Sequence, residues 1–229
     1  MYKKVLYKLQ ANCDRYQGVD EMSCNNIITI TRQFGSGGHD IGKALADKLS
    51  IPFYDKELIS LAAKESGICP EVFENVDEKA TNSLMYSLSV GLYNYGNGFS
   101  TMGDLPVNDR LYILQHKIIK ELAEKGPFVV VGRCADYVLK DKPNVLKVFI
   151  YASMDSRIKR AVDRHEIDPA RAKQAVLKTD KNRANYYSFY SGEKWGLADN
   201  YDLCLNTTFL STQQAVDIIV SYMNVRNKK

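Results

Sequence analysis

The stretch NIITITRQFGSGGHDIGKALADKL, residues 26–49, restricts the fold more than any other part of the chain. Its apolar, β-branched run over 26–31 reads as a buried strand, and Ile41, Leu45, Ala46 and Leu49 recur at helical spacing after the glycines. Strand, glycine turn and helix, in that order, open an α/β sheet whose first loop suits a phosphate group. The stretch also contains G-x-x-x-x-G-K, from Gly37 to Lys43, the outline of a phosphate loop with its lysine. Were Lys43 that lysine, the helix would run only from Ala44 to about Leu49 before the next strand at Ile51. That is too short to cross back over a parallel sheet. A helix that begins near Gly38 or His39 has a continuous apolar face and enough length, so the match to Lys43 is accidental and the cradle is Gly35-Ser36-Gly37-Gly38-His39.

The same alternation recurs along the chain. Strands are expected at 51–55, 127–132, 144–152 and 201–207, and helices at 56–66, about 107–125 and 212–223. Strands that are apolar throughout and separated by helices argue for a parallel sheet covered on both faces. A chain of 229 residues with 45% apolar content supports one such domain, here residues 25–229, and residues 1–24, which lack a clear period, read as an N-terminal appendage. Two stretches break the rhythm. Residues 67–106 hold polar helical patterns and the glycine-rich VGLYNYGNGFSTMGD; residues 153–195 are basic and helical, with Arg157, Arg160 and Arg164 followed by Lys178, Lys181 and Arg183. A basic run taken alone is a solvated helix face.

Composition narrows the function classes. The formal charge of +4, from 31 basic and 27 acidic residues, calls for no nucleic-acid partner. Five scattered cysteines without a C-x-x-C pair indicate a reduced, cytoplasmic chain without structural zinc. No apolar run approaches the roughly 20 residues that span a bilayer, and the polar start lacks a signal-peptide core, so a membrane partner is not expected.

In order, ITITRQFGSGG, IPFYDKELI, VVVGRCADYVL, VFIYASMDSRIKRAVDR, KTDKNRANYYSFYSGEKWG and NYDLCLNT resemble the cytidylate kinase-like family of P-loop proteins, over nearly everything from residue 25 onward. The resemblance implies a P-loop kinase fold: a five-stranded parallel sheet flanked by helices, a mobile acceptor-binding subdomain over 67–106, and an arginine-rich helical lid over 157–195. It implies ATP and Mg2+ as cofactors and a small-molecule acceptor. Authentic cytidylate kinases carry G-x-x-G-x-G-K-[GS]-[ST] at the loop. In the register set by the helix, Gly38 stands at their lysine, and His39 and Asp40 at the small and hydroxyl positions that follow.

The expected cofactor-binding residues are therefore Arg32, Gly35, Ser36, Gly37, Gly38, His39 and Asp40, with Arg32 supplying part of the missing charge. Asp40 is the candidate metal ligand; a carboxylate in a first helical turn also serves the helix dipole. Arg133 ends a strand, where an open α/β sheet places its ligands, and matches the phosphate-contacting arginine of the G-R-D motif. Cys134 replaces the aspartate of that motif, and a thiol is a poor acceptor, so a cytosine preference does not carry over. Asp55, Arg133, Cys134 and Lys181 are the expected acceptor-binding residues, and Arg133, Arg157, Arg160 and Arg183 the catalytic cations around transferring phosphate. Asp55 is equally well a helix cap. The aromatic patch Tyr186, Tyr187, Phe189, Tyr190 and Trp195 reads first as lid packing.

Two functions follow. The first is an ATP-dependent phosphotransferase acting on a small acceptor such as a nucleoside monophosphate, which the retained Arg133 and basic segment favour. The second is a nucleotide-binding sensor or partner protein without turnover, which the missing lysine favours.

Overall fold

The computed structural model describes residues 26–56, Ile59 and residues 107–227. The expected appendage, the acceptor subdomain over 67–106 and most of the helix at 56–66 lie outside the described residues. Five strands, β1 (Ile27–Arg32), β2 (Phe53–Tyr54), β3 (Val129–Val131), β4 (Val145–Tyr151) and β5 (Leu203–Asn206), form one sheet in the order β2-β3-β1-β4-β5. All neighbours are parallel, and β1 lies in the centre, with Ile28 opposite Val129 on one side and Leu146 on the other. The chain works first to one side of β1 and then to the other. The carboxyl end of β1 is therefore the place where an open sheet opens a ligand crevice.

The helices among the described residues are α1 (Gly38–Leu49), α2 (Val107–Ala123), α3 (Ala135–Val138), α4 (Met154–His165), α5 (Pro169–Ser191) and α6 (Thr212–Asn227). Side-chain alternation along β1 explains their placement. Ile27 joins the core under α2, with Ile119, Phe128 and Val130, while Ile28 and Ile30 join the core under α1 and α6, with Leu45, Val131 and Ile219. These side chains are fully buried, each at about 1.5–3 kcal/mol of hydrophobic stabilisation, so the strand ends that carry the loop rest on a packed base.

Helix α1 starts at Gly38, as the length argument requires, and Lys43 lies exposed in its second turn. Helix α4 is capped by Ser153, whose hydroxyl accepts from the Ser156 N–H. Helix α5 is capped by Asp168, which accepts from the Ala170 N–H at 2.9 Å, and Pro169 occupies its first position. It stops at Gly192, whose φ of 72° ends the helix in the left-handed region. Residues 154–191 thus comprise two helices joined by a short turn. Among the described residues no helix is long and apolar enough to cross a membrane, and Cys134 and Cys204 are free thiols.

Candidate functional site

The loop between β1 and α1 is shaped by what lies behind it. The Gln33 N–H donates to the Ile150 carbonyl at 3.0 Å, and the Phe34 N–H donates to Asp180 Oδ1 at 2.7 Å. The Ser36 hydroxyl is buried and donates back to the Gln33 carbonyl at 2.8 Å. Gly35 and Gly37 both take positive φ, 74° and 83°. A Cβ on Gly35 would overlap the Arg157 carbonyl, whereas one on Gly37 would make only an ordinary contact with Ile41 Cδ1 at 3.9 Å, so Gly37 is required by its dihedral alone.

The carbonyls of the loop point inward. Thr207 Oγ1 donates to the Ser36 carbonyl at 2.7 Å, Arg160 reaches the Gly35 and Ser36 carbonyls at 3.4 and 3.3 Å, and the Gly37 carbonyl accepts from Ile41 N–H at 3.0 Å. In a trans peptide the N–H points opposite the carbonyl, so the Gly37 and Gly38 N–H groups face away from Thr207 and from the helix. They join the first amides of α1, which have no carbonyl partner inside the helix, at the positive end of its dipole. No side chain caps this end. A concave row of uncapped amides of this kind fits a polyphosphate, the group that the loop's residue types imply.

The sequence led us to expect Arg157, Arg160 and Arg183 around transferring phosphate; in the structure their side chains engage Asp180 and backbone carbonyls of the loop and of Thr207. Arg157 is buried in an ion pair with Asp180, the same carboxylate that receives Phe34 N–H. Arg160 is held by the loop carbonyls and by the Thr207 carbonyl at 2.7 Å, and burial lowers its pKa from the ordinary guanidinium value. Arg183 donates to the Arg32 carbonyl at 3.2 Å and lies 5.7 Å over the Phe34 ring. In these positions they brace the loop. Lys181 is exposed on α5.

Two acidic residues stand near the opening of α1. Asp40 pairs with Arg164, both about half exposed, so the contact is screened and readily exchanged. His39 Nε2 lies 3.2 Å from Asp55 Oδ2, and its ring meets Phe53 edge-on at 5.4 Å. Among the described residues no three metal-ligating side chains converge. Mg2+ does not need such a cage, because it keeps waters and takes phosphate oxygens with one or two carboxylates. Asp40 fits that role by chemistry.

At the end of β3, Gly132, Arg133 and Cys134 all take positive φ, 79°, 59° and 53°. For two non-glycine residues in succession this is a strained turn, of the kind held at functional sites at about 1–3 kcal/mol each. The turn swings the Arg133 guanidinium to 5.3 Å over the Tyr186 ring of α5. Cys134 is buried, and burial pushes its thiol pKa far up, so it stays neutral. The aromatic patch is packing, as expected: Tyr190 stacks on Tyr112 of α2 at 3.9 Å and donates to Asp109 at 2.8 Å, while Trp195 meets Phe149 at 5.5 Å.

Sequence reasoning gave no role to four residues of this arrangement. Asp180, Arg164 and Thr207 act through partners distant in the chain; Thr207, directly after β5, was signalled only by its place at a strand's carboxyl end. Asp136, on α3, is buried with neither carboxylate oxygen hydrogen-bonded, and burial raises its carboxyl to about 6. In the same cluster Tyr187 donates to Glu193 at 3.1 Å, and burial raises the Tyr187 and Tyr201 hydroxyl pKa values well above the usual phenol.

The sequence profile of the cytidylate kinase-like family matches residues 27–209. A cytidylate kinase from Sulfolobus acidocaldarius is 22% identical over 202 residues, covering 87% of this chain and 95% of that protein. Among solved structures, an uncharacterized protein from Eubacterium ventriosum is 31% identical with a TM-score of 0.65, covering 87% of this chain and 98% of that one. The shikimate kinase of Acinetobacter baumannii, in complex with shikimate, is 12% identical with a TM-score of 0.51, covering 91% and 98%. The shared fold is that of the P-loop kinases.

Proposed function

We propose that this chain, which belongs to the cytidylate kinase-like family, is an ATP-dependent phosphotransferase that moves the γ-phosphoryl group to a small acceptor, a nucleoside monophosphate in the first instance. The observation that carries the reading is the uncapped row of amides from Gly37 into α1, at the carboxyl end of the central strand, one strand away from the strained turn of Arg133.

The residues divide the work as follows. Backbone N–H groups of Gly37, Gly38 and His39 bind the donor's phosphates, and Arg157, Arg160, Arg183, Asp180 and Thr207 keep the loop carbonyls turned away from it. Mg2+, when bound, would neutralise charge on the terminal phosphates, with Asp40 as its protein ligand after exchange from Arg164. Arg133 binds the acceptor's anionic group. Asp55, at the end of β2, accepts a hydrogen bond from the acceptor, and His39 orients its carboxylate through Oδ2. Cys134 reads no base strongly, so the acceptor need not be a cytidine nucleotide. A cytoplasmic setting supplies ATP and keeps the thiols reduced.

A second reading, nucleotide binding without turnover, is favoured by one observation: Gly38 stands where a loop lysine would be. One pair of measurements separates them. ATP with magnesium raises the melting temperature under both readings when present well above its dissociation constant. Transfer of labelled phosphate to any acceptor of a nucleotide and small-alcohol panel occurs only under the first. The absence of a nucleotide-dependent shift in folded protein sinks both.

A further inference from the structure

The loop's missing cation has an explanation in the side chain that takes its place. In the register set by α1, the pattern G-x-x-x-x-G-K puts its second glycine at Gly37 and its lysine at Gly38. Its first glycine then falls at Arg32. Relative to the pattern, a glycine and a cation have exchanged positions 32 and 38.

The exchange is steric as well as chemical. A Cβ on Gly38 would stand 2.6 Å from Arg32 Cβ and 2.9 Å from its Cγ, far inside any real contact. The space in which a lysine stem at position 38 would begin is filled by the arginine stem, so each cation excludes the other. The arginine continues to the end of β3, where a Cβ on Gly132 would overlap its Nη1 and approach its Cζ to 3.4 Å. Arg32 thus crosses from the end of β1 to the end of β3 through a slot walled by two residues without side chains. Its backbone is pinned by the bond from Arg183 to its carbonyl. The guanidinium arrives beside Gly132, next in the chain to Arg133.

We propose that Arg32 is the catalytic cation of the phosphate loop: its guanidinium binds the terminal phosphates of the donor nucleotide from the end of β1, in place of a lysine from the start of α1. The inference rests on the phosphotransferase reading above. A guanidinium is suited to the task because its planar set of N–H donors matches phosphate oxygens in pairs and stays charged at every working pH. It also accounts for Gly132, whose bare Cα leaves room for the guanidinium, and for Gly38, which gives none of its own space to a stem.

The test is a cycle of variants on the full chain: Arg32→Ala, Gly38→Lys, and the double exchange Arg32→Gly with Gly38→Lys. Affinity for Mg·ATP and Mg·ADP is measured by calorimetry, beside melting temperature without ligand and phosphate transfer. Arg32→Ala is expected to weaken Mg·ATP by at least about tenfold, the scale of a lost charge-assisted hydrogen bond, while keeping the wild-type fold. Gly38→Lys alone lowers the melting temperature by overpacking, and the double exchange recovers both stability and Mg·ATP affinity, a coupling expected only of groups that share one space. If wild type binds Mg·ATP and Arg32→Ala binds it within about twofold, the phosphotransferase reading stands and the role of Arg32 is overturned. A double exchange no more stable than Gly38→Lys overturns the exclusion. If wild type binds no nucleotide at all, both the inference and the reading beneath it fall.

Discussion

The ion pair between Arg157 and Asp180 provides the sharpest contrast between what the basic helix suggested and where its side chains lie. Only 6% of the arginine side chain and 14% of the aspartate side chain are exposed, and Arg157 Nε is buried without a partner, so the pair is imperfectly satisfied. Such a pair adds little net stability over an apolar pair, but removing one member strands the other at a cost of about 3–5 kcal/mol. Arg157→Met leaves Asp180 with the Phe34 N–H as a remaining donor and some access to water, which places the loss near the lower end, about 3 kcal/mol. Asp180→Asn leaves a guanidinium that is almost wholly buried and removes the acceptor charge from the loop, and belongs at the upper end, about 5 kcal/mol. For a chain of this size each kcal/mol shifts the melting temperature by about 2–4 °C, so Arg157→Met should melt about 6–12 °C lower. The double variant Arg157→Met with Asp180→Asn should recover most of the loss. The assay is reversible thermal unfolding without ligand, followed by circular dichroism. An Arg157→Met protein that melts within about 2 °C of wild type but loses phosphate transfer would show that the arginine faces the phosphates after all.

Three further outcomes are expected. The Asp136 carboxyl is raised to about 6 from 3.8, so its contribution is fully present below pH 3.8 and is lost as the pH rises through about 6, roughly 3 kcal/mol in all; urea unfolding of Asp136→Asn against wild type should show the variant gaining relative stability from pH 4 to pH 7, and parallel pH curves would refute it. Lys43→Ala should leave Mg·ATP affinity within a few-fold, because an exposed lysine in the second turn acts on the nucleotide only through screened attraction; a loss of a hundredfold would mean that the Gly37–Lys43 motif is the working loop. Cytidine monophosphate should not be preferred over other monophosphates by more than roughly a thousandfold, since Cys134 is neutral and buried; competition kinetics across the four bases decide it.

Local periodicity and chain length carried the fold. The start of α1 at Gly38 followed from the residues needed to cross a sheet, and the five strands followed from apolar β-branched runs that α/β topology buries. Strand 51–55 shrinks to Phe53–Tyr54 because only β3 pairs with it, at the sheet edge. The site was less legible. Arg133 and Asp55 could be placed because strand ends are predictable, but the roles of Arg157, Arg160 and Arg183 depend on Asp180, Thr207 and the loop carbonyls, partners that no helical spacing reveals. The left-handed turn at Arg133–Cys134 carries no glycine or asparagine at those positions to announce it. The exclusion between Arg32 and a side chain at position 38 is a matter of ångströms and appears only with coordinates.

The most direct test of phosphate transfer at this site is a screen with γ-labelled ATP and magnesium against nucleoside monophosphates and small hydroxylated acids and sugars, run in parallel on wild type and Arg133→Ala. Wild type should label at least one acceptor. Arg133→Ala should lose about a hundredfold or more in transfer at an unchanged melting temperature, the scale of a removed donor to transition-state charge. Wild-type protein that binds Mg·ATP yet labels no acceptor, or an Arg133→Ala variant that transfers phosphate at the wild-type rate, would contradict this mechanism.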